Sequence, residues 1–94
     1  MAAAQRHSTD MDTTGFMGHT GSDGSTLSLR VEREGYAWRA LGENVARGYV
    51  TPEAVMSAWL ASDGHCANVM NPAFDELGLG LEGWSWTQVF ARPG

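Results

Sequence analysis

Lysine is absent from this 94-residue chain; its six basic residues are Arg6, Arg30, Arg33, Arg39, Arg47 and Arg92. A phosphate-binding loop built around Lys and a Schiff-base enzyme are both excluded, since each needs a primary amine. Cysteine is nearly absent as well. Cys66 stands alone, so neither an intrachain disulfide framework nor a four-cysteine zinc site is available. A free Cys is more often a small buried residue than a reactive one. No apolar run approaches the roughly 18–20 residues of a membrane span. The opening Met1-Ala2-Ala3-Ala4-Gln5-Arg6-His7 lacks the apolar stretch of a signal peptide. Basic charge is scarce against eleven acidic residues, which leaves a net charge of −5. That balance disfavours nucleic acid and anionic membranes, whose phosphates call for clustered Lys and Arg. Gly-x-Ser-x-Gly is missing too, so no serine nucleophile elbow is expected.

What remains is a globular composition, 43% hydrophobic and 18% charged. The length suits one domain, residues 1–94, of a size that buries only about 60–65% of its unfolded surface. Met1 to Met11 reads as a short helix, more like the end of one than a whole one. Residues 12–24, with Gly15, Gly18, Gly21 and Gly24, read as turns. A second helix is expected from Ser25 to Glu34, ending at Gly35. Residues 36–50 show no clear period. The strongest helical signal follows: Thr51 as N-cap, Pro52 in the first turn, Glu53 against the dipole. Val55, Met56, Trp59 and Leu60 then form a stripe expected to face a core. His65 to Met70 suggests one short helical turn, with Asp63 as its cap, stopped by Asn71-Pro72.

The C-terminal third changes period. Leu77, Leu79 and Leu81 alternate with glycines, and Trp84, Trp86, Gln88 and Phe90 alternate with Ser85, Thr87 and Val89. Period two predicts two strands joined at Glu82-Gly83, a C-terminal antiparallel hairpin. Glycines between the leucines leave one strand face bare for close approach of a helix or another backbone. Helices first and a hairpin last make an α+β arrangement.

Three histidines carry most of the chemical interest. His7, beside Asp10, reads as an exposed helical pair. His19 lies in a glycine-rich loop, and His65 follows Gly64 at a helix end. At 46 positions apart they match no helical metal motif. Glu43 reads as a turn carboxylate between two helices, and Asn44 as a residue holding that loop. Trp84 or Trp86 is a candidate for facing a ligand groove.

In order, the chain carries His7-Ser8-Thr9-Asp10-Met11, Phe16-Met17-Gly18-His19-Thr20 and Gly42-Glu43-Asn44-Val45-Ala46. Trp59-Leu60-Ala61-Ser62-Asp63-Gly64-His65, Asn68-Val69-Met70-Asn71-Pro72 and Trp86-Thr87-Gln88-Val89-Phe90 follow. This ordered set resembles the CAP superfamily of cysteine-rich secretory, antigen-five and pathogenesis-related proteins, and most of all its bacterial SCP-like extracellular branch. The resemblance implies a CAP-type α–β–α sandwich with a central cleft, here N-terminally shortened because such domains usually begin one helix earlier. It implies that His19, Glu43 and His65 share the cleft. A His19/His65 pair with Glu43 nearby is then expected to hold a divalent cation, zinc by charge and softness, weakly. Cys66 stands where the bacterial pattern usually has Arg, and the second cleft Glu of eukaryotic relatives is replaced by Ser62.

Expected function follows from the resemblance: a non-enzymatic extracellular or cell-envelope binding module for a cell-surface, lipid or small-molecule ligand. The alternatives are a metal-assisted hydrolase with Glu43 as general base and a truncated structural remnant. An uncovered face around Trp59, Trp84 or Trp86 is expected to drive self-association or low stability.

Overall fold

A computed structural model describes residues 2–94. Seven elements run in the order α1 (Ala2–Thr14), α2 (Leu27–Arg33), β1 (Trp38–Arg47), α3 (Pro52–Ala61), α4 (Asp63–Met70), β2 (Glu76–Glu82) and β3 (Ser85–Pro93). The strands form one antiparallel sheet in the order β1-β3-β2. Residues directly opposite one another share a face of the sheet. Glu43, Val89 and Gly78 therefore lie on one face, and Asn44, Gln88 and Leu79 on the other.

Helices α1 and α2 cover the first face. Ala3, Ala4, Val31 and Val89 form its core, with Leu27, Tyr36 and Leu41 packed around them. The bare glycine face does what its sequence suggests: a Cβ on Gly80 would collide with the Ala4 carbonyl. Helix α1 rests on β2 backbone to backbone, and Ser8 and Thr87 share a buried hydrogen bond of 2.7 Å beside it. On the second face α3 contributes Val55 and Trp59 to a core with Ala46, flanked by Met56 and Trp86. Phe74, which follows α4, stacks on Phe90 at 5.7 Å, and Gly42 leaves room for its ring. The α–β–α layering expected from the resemblance is present.

Several local expectations change. The first helix continues to Thr14, so residues 12–14 are helical rather than turn; Met1 lies outside the described residues. Helix α2 is shorter than expected, because Thr26 caps it by accepting from the Leu29 amide. Thr51 caps α3 through the Ala54 amide, as its sequence predicts. Asp63 opens α4 rather than capping it; Ser62 holds the cap position, and α4 is longer than one turn. Residues 38–47 form an edge strand, so the sheet has three strands rather than the two of a hairpin. The β2–β3 turn is Gly83-Trp84, both at positive φ (52° and 63°), one residue later than expected. Leu60 faces solvent and not the core.

Side chains engage outward backbone groups on both outer strands of the sheet. On β1, Asn68 Nδ2 donates to the Glu43 carbonyl at 3.1 Å and Trp59 Nε1 to the Val45 carbonyl at 3.2 Å. On β2, the Gln5 amide takes both backbone groups of Leu81, at 2.9 and 3.1 Å. Edge groups left open would otherwise template pairing with another strand.

Candidate functional site

Glu43 lies in mid-β1 rather than in a turn, and its buried carboxylate points beneath α1 and α2. Arg30, from α2, donates through Nη2 to Oε2 at 2.6 Å. His19 donates through Nδ1 to Oε1 at 2.9 Å. Removing a carboxylate and a guanidinium from water costs several kcal/mol each, which a short ion pair with further hydrogen bonds offsets. Those further bonds are present: Arg30 Nη1 donates to the His19 carbonyl at 2.7 Å and to the Ser25 carbonyl at 3.0 Å. One guanidinium thus clamps both ends of the 19–25 loop and the strand carboxylate.

His7 is the largest departure from the sequence reading. It is 1% exposed, not a solvated partner of Asp10. Its Nε2 donates to the Gly18 carbonyl at 2.7 Å, which fixes the tautomer because a carbonyl only accepts. The ring also meets Phe16 edge-on at 6.1 Å. Asp10 instead binds the Ser22 amide at 2.8 Å and its hydroxyl at 2.5 Å, pinning the same loop. Next to it Asp23 is held well below the usual carboxylate range, first by hydrogen bonds from Ser25 and then by Arg33. Helix α1 and the loop are therefore one unit. Sequence reasoning missed Arg30 and His7 as parts of the site; the burial of their partners is not written in local pattern.

Asn44, completely buried on the opposite face, donates to the His65 carbonyl and to Gln88 Oε1, both at 3.1 Å. Asn68 Nδ2 donates to Asn44 Oδ1 at 2.9 Å. This amide chain fixes α4, and with it His65, against β1. His65 Nδ1 lies 3.0 Å from Ser62 Oγ. A cavity of about 300 Å³ opens there, lined by Met17, Tyr49, Ala58, Trp59, Ser62 and His65 together with β1 residues 45–47. Cys66, half-buried, is a free thiol.

The three residues expected to share a cleft thus have different settings. His19, with 60% of its side chain exposed, is bonded to Glu43. His65 belongs to the cavity on the α3–α4 side. Among the described residues, no group of three or more His, Cys, Asp and Glu side chains is disposed to hold a metal ion. Trp86 is half-buried, its Nε1 donating to the Tyr49 carbonyl at 2.7 Å. Trp59 is buried, yet with Trp86 it lines a groove beside the β2 leucines.

Comparison with known proteins adds to this geometry. Residues 1–90 match the family model described as CAP, the cysteine-rich secretory protein family. The uncharacterised protein YkwD of Bacillus subtilis (strain 168) is 34% identical over 90 residues, covering 94% of this chain and 35% of that protein. Its uncharacterised membrane protein YlbC is 31% identical over 86 residues, covering 92% of this chain and 25% of that protein. The chain therefore spans about a third or less of the curated relatives it matches. An extracellular protein containing an SCP domain, from Bacillus anthracis, superposes with a TM-score of 0.93 at 33% identity, over 96% of this chain and 30% of that one. An outer surface protein of Borrelia burgdorferi shares the fold alone, with a TM-score of 0.81 at 17% identity, over all of this chain and 76% of that one.

Proposed function

The chain belongs to the cysteine-rich secretory protein (CAP) family, and on that premise we propose that it is a non-enzymatic extracellular binding domain. The ligand class we assign is a small amphipathic molecule, held in the cavity at the open side of β1. The state of Glu43 carries this reading. A general base needs a carboxylate free to take a proton from water. Glu43 is buried, and its two oxygens are committed to Arg30 and His19 at 2.6 and 2.9 Å. That engagement suits a structural keystone and leaves the hydrolase alternative without its base. The cavity offers apolar walls from Met17, Tyr49 and Trp59 and a polar end at Ser62 and His65. An apolar pocket with few polar groups is the usual form of a small-molecule site. The extracellular assignment is supported by a relative, 33% identical, that is described as an extracellular protein.

A divalent cation is the secondary ligand of this reading, and the donors left for it are imidazole Nε2 atoms. The Nδ1 of His19 carries the proton given to Glu43, so its neutral ring keeps an accepting Nε2. His65 Nδ1 is engaged by Ser62. With Arg30 against the carboxylate of Glu43, water must complete the shell and affinity is low.

Titration with octanoate, followed by heteronuclear NMR, tests the main reading. Shifts at the Trp59 indole and the His65 ring are expected, together with no turnover of nitrophenyl esters above background. Ester turnover that disappears in folded Glu43→Gln would replace the binding reading with the hydrolase one.

A further inference from the structure

We propose that Arg47 makes the cavity beside His65 selective for an anionic oxygen head group, so that its ligand is an amphiphile with a negative end. The inference rests on the binding reading above and specifies the charge of the ligand. Arg47 closes β1 and, among the described residues, is the one permanently charged wall of that cavity. The lining contains no Asp or Glu, on a chain whose acids outnumber its arginines eleven to six. The carboxylates closest in sequence stand apart from it. Glu43 is held by Arg30, and Asp63, next to Ser62, is not among the walls.

Two features point to an anion. First, Arg47 is uncommitted. Among the described residues, Arg6, Arg30 and Arg33 are paired with Glu34, Glu43 and Asp23, and Arg47 enters no such pair. It is exposed at the end of its strand, so its guanidinium can turn onto a ligand without breaking an internal bond. The planar fork of Arg matches a carboxylate, sulfate or phosphate with two parallel N–H donors. Second, Ser62 and His65 offer a donor in either tautomer. Their Oγ and Nδ1 lie 3.0 Å apart. If the hydroxyl donates to Nδ1, the neutral ring carries its proton on Nε2; if Nδ1–H donates to Oγ, the hydroxyl hydrogen is free. The ligand meets an N–H or an O–H in both cases.

The remaining walls, Met17, Tyr49 and Trp59 foremost, receive the tail. A neutral alcohol of the same length would keep the tail contacts and the Ser62–His65 donor but forgo the ion pair. An ammonium head would set two cations against each other with no carboxylate in the lining to separate them. Arg47 is thus the specificity-determining residue of the site.

Titration at neutral pH, where octanoate is ionised, compares octanoate, 1-octanol and octylammonium on wild type, Arg47→Gln and Arg47→Lys. Heteronuclear NMR at the Trp59 indole and the His65 ring gives each affinity. Wild type should bind octanoate about tenfold more tightly than 1-octanol, and octylammonium least. Added salt should weaken octanoate and leave 1-octanol unchanged. Arg47→Gln should bring octanoate level with 1-octanol, and Arg47→Lys should keep part of the preference. Position 47 is exposed, so both variants should melt close to wild type by circular dichroism. Wild type that binds 1-octanol as tightly as octanoate overturns the selectivity and leaves the cavity reading standing. So does a folded Arg47→Gln that keeps the preference. Failure of all three probes to bind removes the cavity reading and this proposal together.

Discussion

Glu43 and Asn44 are consecutive residues of β1 and bury their side chains on opposite faces of the sheet. Glu43 meets Arg30 and His19 beneath the first two helices; Asn44 meets Gln88, Asn68 and the His65 carbonyl beneath the last two. One strand therefore carries two polar keystones back to back. A shift of β1 along its axis would strain both half-sites together, which ties the His19 loop to the His65 helix.

Replacing Arg30 with Met should cost about 3–5 kcal/mol, because it strands a buried carboxylate without its cation. Urea denaturation followed by tryptophan fluorescence measures this. The double variant Arg30→Met/Glu43→Gln should recover part of the loss, since no ionised group is then left without a partner. Equal midpoints for wild type and Arg30→Met would show that the pair is not what holds the loop.

Gly80→Ala should destabilise the fold by about 1–3 kcal/mol, because the new methyl meets helix backbone at Ala4 and Gln5. Gly42→Ala should cost less. Its methyl meets the Phe74 ring and the Asn68 side chain, which can turn aside where backbone cannot. Thermal melts of the two variants give the order.

The phenol of Tyr36 should titrate at about 12, pushed up by its hydrogen bond to Glu76, against an ordinary value of about 10. The raised value fixes the sign. The bond's contribution to stability is fully present below about pH 10 and is lost as pH rises through about 12. Ultraviolet titration of Glu76→Gln should show the midpoint moving back toward the ordinary value.

Zinc should bind weakly at neutral pH and more weakly in acid, because protons compete for imidazole nitrogen. Calorimetry on wild type, His19→Ala and His65→Ala reads this out. Loss of heat in both variants is expected; equal affinity in wild type and His65→Ala would remove His65 from the cation site.

Much of this architecture can be read locally. Thr51-Pro52-Glu53 marks the start of α3 because caps act within one turn, and the Leu-Gly alternation of β2 survives because α1 needs the bare face. The third strand hides for the opposite reason. Trp38–Arg47 buries Glu43 and Asn44, and their partners Arg30, His65 and Gln88 lie far along the chain, so no hydrophobic alternation marks it. His7 hides likewise: its partner is a loop carbonyl at Gly18. Bringing together His19, Glu43 and Arg30 is a tertiary event, legible only to the extent that family resemblance points to it.

A single glutamine satisfies the last outward backbone pair of the β2 edge before the turn. The Gln5 amide lies along Leu81 and takes both of its outward backbone groups, which shortens the ladder a neighbouring strand could extend. Remove that amide, as in Gln5→Ala, and Leu81 is left at the edge with a free donor and a free acceptor. An exposed edge of that kind templates pairing with another strand, so residue 5 guards this end of the sheet.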